Sequence, residues 1–217
     1  FIIDDMLVDL HNHTFPKSDD STLDVDTLLS LYKNTMIDAV CLTDHDTFWT
    51  PQEAEQLSDR YGFLVLPGVE INTDNGHVLV FGLTEYVFGM HKIDFLANCV
   101  SEVGGAMIAA HPYRRRWLKG MDQAFLNYRL KEAKHDPLLE VCDAIEVMNG
   151  RGSAEENEFS SRLADITNLA RTGGSDAHSP LDIGKCCTEV LTKVETLEEL
   201  IQALRNGEVK PMSLYSS

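Results

Sequence analysis

Apolar, β-rich runs alternate with helix-patterned segments along almost the entire chain, and that alternation admits few architectures. Residues 6–10, 39–42, 63–69, 77–83, 106–110, 144–148, 169–172 and 188–191 read as strands, and 25–35, 51–61, 93–103, 153–166 and 197–205 as helices. Several strand runs are continuously apolar and β-branched, the pattern of parallel strands buried on both faces. The helix ends carry matching chemistry. Asp24 can cap the first-turn amides of its helix, Pro51 follows Thr50 at a first helical position, and Thr196-Leu197-Glu198-Glu199 has the spacing of a capping box. Gly62, Gly104 and Gly207 fall where helices should stop. Residues 119–139 mix helical stretches with Gly120 and a His135-Asp136-Pro137 break and stay unassigned. No linker, repeat or low-complexity stretch divides the 217 residues, so a single βα-repeated domain over 1–217 is expected.

Histidine, aspartate and glutamate gather at one end of the expected strands. Strand 6–10 runs into His11-Asn12-His13, strand 39–42 into Thr43-Asp44-His45-Asp46, and strand 63–69 into Glu70. Strand 106–110 ends at His111-Pro112, and strand 169–172 leads through Gly173-Gly174-Ser175 to Asp176-Ala177-His178. Alternate residues leaving a strand can reach metal ions if the strand end bends, and Gly173-Gly174 lets the backbone turn tightly. Taken singly, each piece has a plainer reading: loop histidines, a solvated Glu70, a stacked His77, a capped core His111, a simple turn at 174–178. Six of the eight histidines lie in these motifs or close behind them, which favours reading them jointly as a metal centre. Imidazoles and carboxylates without a convincing thiolate suit zinc, manganese or iron. Cys41 reads as mid-strand packing, His91 and His135 as surface residues. Trp49, Trp117 and Met148 read as packing, although aromatics near a site also wall substrate pockets.

The charge balance sets Lys+Arg 18 against Asp+Glu 35, a net −17. So acidic a surface repels a phosphate backbone and argues against broad nucleic-acid binding. A small phosphorylated substrate stays open, because bound divalent cations reverse the sign locally. The five cysteines are odd in number and show no CxxC spacing, which fits a reducing cytoplasm. No apolar run approaches the ~18 residues of a membrane span, and no signal peptide is visible. The chain opens on Phe1 without Met, so its start is expected to be trimmed or tag-derived. A cytoplasmic protein without a membrane partner is the expectation.

His11-x-His13, Thr43-Asp44-His45-Asp46, Gly68-Val69-Glu70, Ala110-His111-Pro112 and Gly174-Ser175-Asp176-Ala177-His178 span nearly the whole chain. In type and order they resemble the PHP family, the polymerase and histidinol phosphatase domains, in its metal-dependent phosphoesterase branch. The resemblance implies a distorted (β/α)7 TIM-like barrel, with the active site at the C-terminal ends of the strands and two or three divalent ions. It implies a first ion on His11, His13, Glu70 and Asp176, a second on Glu70, His77 and His111, and a third on Asp19, His45 and His178. Glu70 would bridge two of them. Lys17-Ser18-Asp19-Asp20-Ser21 is similar to the family's Ser-Asp-Gly segment with Asp20 in place of Gly, which leaves Asp19 or Asp20 as the third-ion carboxylate. Asp44 and Asp46 would steer His45 and its neighbours from behind. The stretch between His77 and His111 is too short for the inserted cap of the family's nucleotide-bisphosphate phosphatases.

The function so implied is hydrolysis of a small phosphorylated substrate, a phosphomonoester or nucleotide, by a metal-bridging hydroxide. Glu70, Asp176 and His178 are the expected catalytic residues; Asp176, His178 or a metal-bound water could move the protons. Arg114, Arg115 and Arg116 form the one basic cluster, read either as phosphate recognition or as three solvated arginines near a helix start. Two rival functions stand beside this one. A metal-dependent hydrolase of C–N or carboxylic ester bonds would use the same ligands on carbon. A non-catalytic, metal-stabilised module would serve a partner, although a degenerate site should have lost several ligands.

Overall fold

The computed structural model describes residues 5–114, 120 and 122–214. In chain order the elements are β1 (Met6–Asp9), α1 (Val25–Tyr32), β2 (Ala39–Leu42), α2 (Pro51–Tyr61), β3 (Leu64–Pro67), β4 (Val69–Thr73), β5 (Gly76–Phe81), α3 (Ile93–Glu102) and β6 (Ala106–Ala109). They continue with α4 (Gln123–Ala133), α5 (Pro137–Val141), β7 (Ala144–Asn149), α6 (Ala154–Thr167), β8 (Ala170–Gly174), β9 (Cys186–Val190), α7 (Leu197–Asn206) and β10 (Val209–Ser213).

Helix ends follow local chemistry. Asp24 accepts from the Thr27 amide at the start of α1. Thr50 with Glu53 and Thr196 with Glu199 form reciprocal capping boxes on α2 and α7. Both of those helices end on a left-handed glycine, Gly62 and Gly207. The unassigned stretch contains α4 and α5, separated at His135-Asp136, with Asp136 capping α5 ahead of Pro137.

The strands form two five-stranded sheets, ordered β10-β9-β1-β2-β3 and β4-β5-β6-β7-β8. Their side chains alternate between an inner cluster and the helices. Ala39, Cys41, Leu79, Phe81 and Ile108 enter a cluster fed by both sheets. Val40 and Leu42 instead pack with Leu28 and Leu29 of α1 and Leu57 of α2, while Val78, Val80, Met107 and Ala109 pack with Leu96 of α3 and Leu163 of α6. Burial on both faces is why these runs are continuously apolar.

The expected distorted (β/α)7 TIM-like barrel is not formed: both sheets are open, and pairing is mixed rather than parallel. β4–β5, β5–β6, β1–β9 and β9–β10 are antiparallel. The expected strand 63–69 is two strands, because the chain changes sheets at Pro67-Gly68. The β2–β3 ladder ends at the Leu42–Pro67 pair, with the Gly68 N–H donating to the Leu42 carbonyl at 2.9 Å just before the chain enters β4. Gly68 sits where an added Cβ would lie 2.8 Å from the Phe81 ring. At the other seam the ladder is replaced by a hydroxyl: Thr188 Oγ1 accepts from the Gly173 N–H at 2.9 Å and donates to its carbonyl at 2.8 Å. Single bridges, Asn12 with Ala177 and His45 with Glu70, join the sheets on the side where the histidines collect. Among the described residues no helix is long and apolar enough to cross a membrane.

Candidate metal centre

The strand exits converge. His11 and His13 leave β1, His45 follows β2, His111 follows β6, and Asp176 and His178 leave β8, whereas Glu70 and His77 lie within β4 and β5. The hairpin between β4 and β5 pairs Asn72 with His77 and so returns His77 toward Glu70. Asp46, His111 and Asp176 take left-handed backbone, with φ of 47°, 27° and 52°. Such non-glycine conformations persist only where the surroundings hold them.

Glu70 is at the centre and fully buried. Its Oε1 lies 2.9 Å from His77 Nδ1 and 3.0 Å from His111 Nε2. Its Oε2 faces His11 Nε2 at 3.3 Å, His13 Nε2 at 3.1 Å and His45 Nδ1 at 3.1 Å. Asp176 Oδ1 stands 3.6 Å from His11 Nε2, 3.5 Å from His13 Nε2 and 3.4 Å from His178 Nδ1. Four triads have ligand atoms close enough to share a cation: His11, His13 and Glu70; His11, His111 and Asp176; His45, Glu70 and His77; His13, His45 and His178.

Two buried atoms here, His45 Nδ1 and Glu70 Oε2, make no hydrogen bond despite their proximity. Unsatisfied buried polar atoms are costly, and a divalent cation would satisfy both. With its nitrogen and oxygen donors and no thiolate, the site fits a divalent cation. Burial opposes ionisation of Glu70, yet His11, His111 and His13 hold its carboxyl well below the usual range. Burial likewise pushes the imidazoles of His45 and His178 below their ordinary value, keeping them neutral and able to donate a lone pair.

Of the two candidate acids after Ser18, the loop turns Asp20 rather than Asp19 toward the histidines. Asp20 Oδ2 is 3.0 Å from His178 Nε2 and 3.7 Å from His45 Nε2, while Asp19 does not line the cavity. Asp44 accepts from the Thr14 N–H and hydroxyl, the Ser18 hydroxyl and Trp49 Nε1. The Ser18 oxygen in turn accepts from the His45 N–H and contacts His13 Nδ1. Asp46 binds Asn72, and its own N–H donates to the Glu70 carbonyl.

Arg114 donates to Asp176 Oδ2 at the rim of a cavity of about 310 Å³ that contains Glu70, His111, Asp176 and His178. Arg115, Arg116 and Trp117 lie outside the described residues. His135 is exposed and His91 half-buried, both apart from the cluster, and Cys41 is buried packing.

Residues without a motif complete the site. Glu146, buried in β7, contacts His11 Nδ1 at 2.9 Å and accepts from the His111 N–H at 2.9 Å. Asn149 Nδ2 donates to both Glu146 and Asp176. Arg151 Nη1 lies 3.9 Å from Asp176 Oδ1. Behind the histidines, Asp9 accepts from the His11 and Ser175 amides. The one signal for Glu146 was a charged residue in an otherwise apolar strand.

Comparison with known proteins places this geometry in context. Residues 154–209 match a family model described as PHP-associated. Over 120 residues, half of this chain and 68% of the relative, the sequence is 31% identical to uncharacterized protein MJ1587 of Methanocaldococcus jannaschii. In structure the chain is similar to PsfC from Pseudomonas syringae, with a TM-score of 0.67, 20% identity, and coverage of 96% of this chain and 91% of that one. It is also similar to a two-domain protein from Bacteroides vulgatus described as containing a predicted PHP-like metal-dependent phosphoesterase. That match has a TM-score of 0.65 and 18% identity, and covers 96% of this chain and 65% of the other.

Proposed function

We propose that the chain is a PHP-like metal-dependent phosphoesterase that hydrolyses a small phosphorylated substrate, a phosphomonoester or nucleotide, with two or three divalent ions. One observation carries the reading: a single buried carboxylate, Glu70, turns one oxygen to His77 and His111 and the other to His11, His13 and His45. In this reading His11, His13, Glu70 and Asp176 hold one ion and Glu70, His77 and His111 a second. His45, His178 and Asp20 hold a third, with Asp20 taking the place expected for Asp19.

Bound ions would supply Lewis-acid polarisation of the phosphoryl oxygens and a lowered pKa for water. The chain's own groups do the rest. Arg114, which lines the cavity beside Asp176, offers its guanidinium fork to phosphate oxygens. Asp176 and His178 line the same cavity as Glu70 and hold or pass protons beside the substrate, while Glu70 stays ionised. Water attacks phosphorus, the P–O ester bond breaks, and the leaving oxygen takes up a proton. A cavity of about 310 Å³ suits a small substrate rather than a polymer.

The test joins elemental analysis of protein purified without chelator to a screen of phosphate release against amide and lactone hydrolysis. More than one transition metal per chain together with phosphate release supports the reading. Near-zero metal, and no activity on adding manganese, iron or zinc, overturns it. Glu70→Gln is expected to abolish turnover with the fold retained.

A further inference from the structure

Helix α1 supplies no group to the histidine cluster, yet its last residue, Tyr32, is fully buried and reaches the back of it. Tyr32 Oη lies 2.7 Å from Asp9 Oδ2 and 2.6 Å from Asn12 Oδ1. The Asn12 amide is oriented by its other end, where Nδ2 donates to the carbonyls of Asp9 and Cys41 at 3.3 and 3.2 Å. That leaves Oδ1 as an acceptor toward the phenol. Asp9 Oδ1 in turn accepts from the His11 N–H at 3.2 Å and the Ser175 N–H at 3.0 Å.

These contacts cross the seam between the two open sheets. β1, which leads to His11 and His13, belongs to one sheet, and β8, which leads to Asp176, belongs to the other. The ladder linking these two exits is a single bridge, Asn12 with Ala177. Asp9 adds a side-chain clasp from one exit to the other, and Tyr32 holds that carboxylate in place. A phenol hydroxyl sunk this deep is costly unless it is bonded; its single proton serves one of these two oxygens at a time, and both oxygens belong to this clasp.

We propose that Tyr32 is a positioning residue for the metal centre, acting through Asp9 and Asn12 to set the spacing of His11 and His13 against Asp176 across the seam. The proposal rests on the metal-centre reading above.

The test uses Tyr32→Phe, which removes one oxygen and keeps the ring. Zn²⁺ or Mn²⁺ affinity is measured by competition with a chromophoric chelator, and amide exchange is followed at His11 and Ser175. Expected is binding weaker by about tenfold, the scale of lost support behind a ligand, with faster exchange at those two amides. Leu28→Ala, a cavity variant on the same helix, should lower the melting temperature without that loss of affinity. Asp9→Asn reads the same link from the other side and should also weaken binding about tenfold. Metal affinity within twofold of wild type in either network variant overturns the proposal, as does a loss in Leu28→Ala equal to that in Tyr32→Phe. Wild-type protein that binds neither ion overturns the metal centre itself, a result distinct from failure of Tyr32 alone.

Discussion

Glu146 Oε1 lies 2.9 Å from His11 Nδ1, while the other ring nitrogen of His11 faces His13 Nε2 at 3.0 Å and Glu70 Oε2 at 3.3 Å. The carboxylate holds a proton on Nδ1, so Nε2 is the nitrogen a cation would take, displacing the proton that Asp176 and Glu70 otherwise favour on the ring. Glu146→Gln keeps the shape and removes the charge, so metal affinity should fall by roughly 10- to 100-fold, read by chelator competition. Glu146→Ala also strips the acceptor from the His111 N–H. It should destabilise the protein by a further ~1–3 kcal/mol in urea unfolding.

Gly174 allows that approach. A Cβ added there would lie 2.5 Å from His11 Cβ and 2.6 Å from Glu146 Oε1. His11 Cβ is tied to its backbone and cannot swing away, so β1 and β8 would have to separate. Gly174→Ala is expected to cost about 1–3 kcal/mol, the range for overpacking, and to lower metal content. Thermal unfolding in chelator and elemental analysis would show the two losses; wild-type values in both would mean the seam is looser than its contacts indicate.

What could be read from the sequence was local. His11, His13, His45, His111, Asp176 and His178 were legible because each follows an apolar run, and the polar residue after a buried strand has few places to go. The caps at Asp24, Thr50 and Thr196 were legible for the same reason: their partners lie three residues on. The open sheets were not, since they depend on Thr188 meeting Gly173 and on the chain changing sheets at Pro67-Gly68, features that no periodicity encodes. The β4–β5 hairpin turns at Asp74-Asn75 and enters β5 at Gly76, whose φ is 130°, so its signal was the Asp-Asn-Gly run. β10 was hidden by Pro211, which is tolerated because it lies on an edge strand. Glu146 sits in the middle of β7, where alternation predicts packing and says nothing of the histidine that follows β1 of the other sheet.

Burial raises the Asp9 carboxyl from 3.8 to about 6, against the hydrogen bonds from Ser175, Tyr32 and His11. The folded state therefore holds this proton more tightly than the unfolded chain, and the contribution to stability falls as pH rises. It is fully present below the unfolded pKa of 3.8 and is lost by the time pH passes about 6. The span corresponds to a loss on the order of 3 kcal/mol. Asp9→Asn abolishes this titration. Urea unfolding in chelator from pH 4 to 7 should show the variant gaining on wild type as pH rises. A constant difference between the two proteins would show that Asp9 does not titrate in this window.

Arg114 donates to Asp176 Oδ2, and its side chain is only 16% exposed at the rim of the cavity. In an acidic chain it is the described cation nearest the cluster, with Arg151 farther off at 3.9 Å. A guanidinium can make two parallel contacts to phosphate oxygens where an ammonium makes a point contact. Losing such a partly desolvated contact costs transition-state binding about 2–4 kcal/mol. Arg114→Ala should therefore lower kcat/KM on a phosphoester by about 30- to 1,000-fold, with metal content unchanged because Arg114 is not a ligand. Arg114→Lys should recover only part of the loss. Steady-state kinetics with elemental analysis of the same preparations decides the matter. An alanine variant as active as wild type would mean that phosphate is held by the ions alone, and that Arg114 serves only to neutralise Asp176.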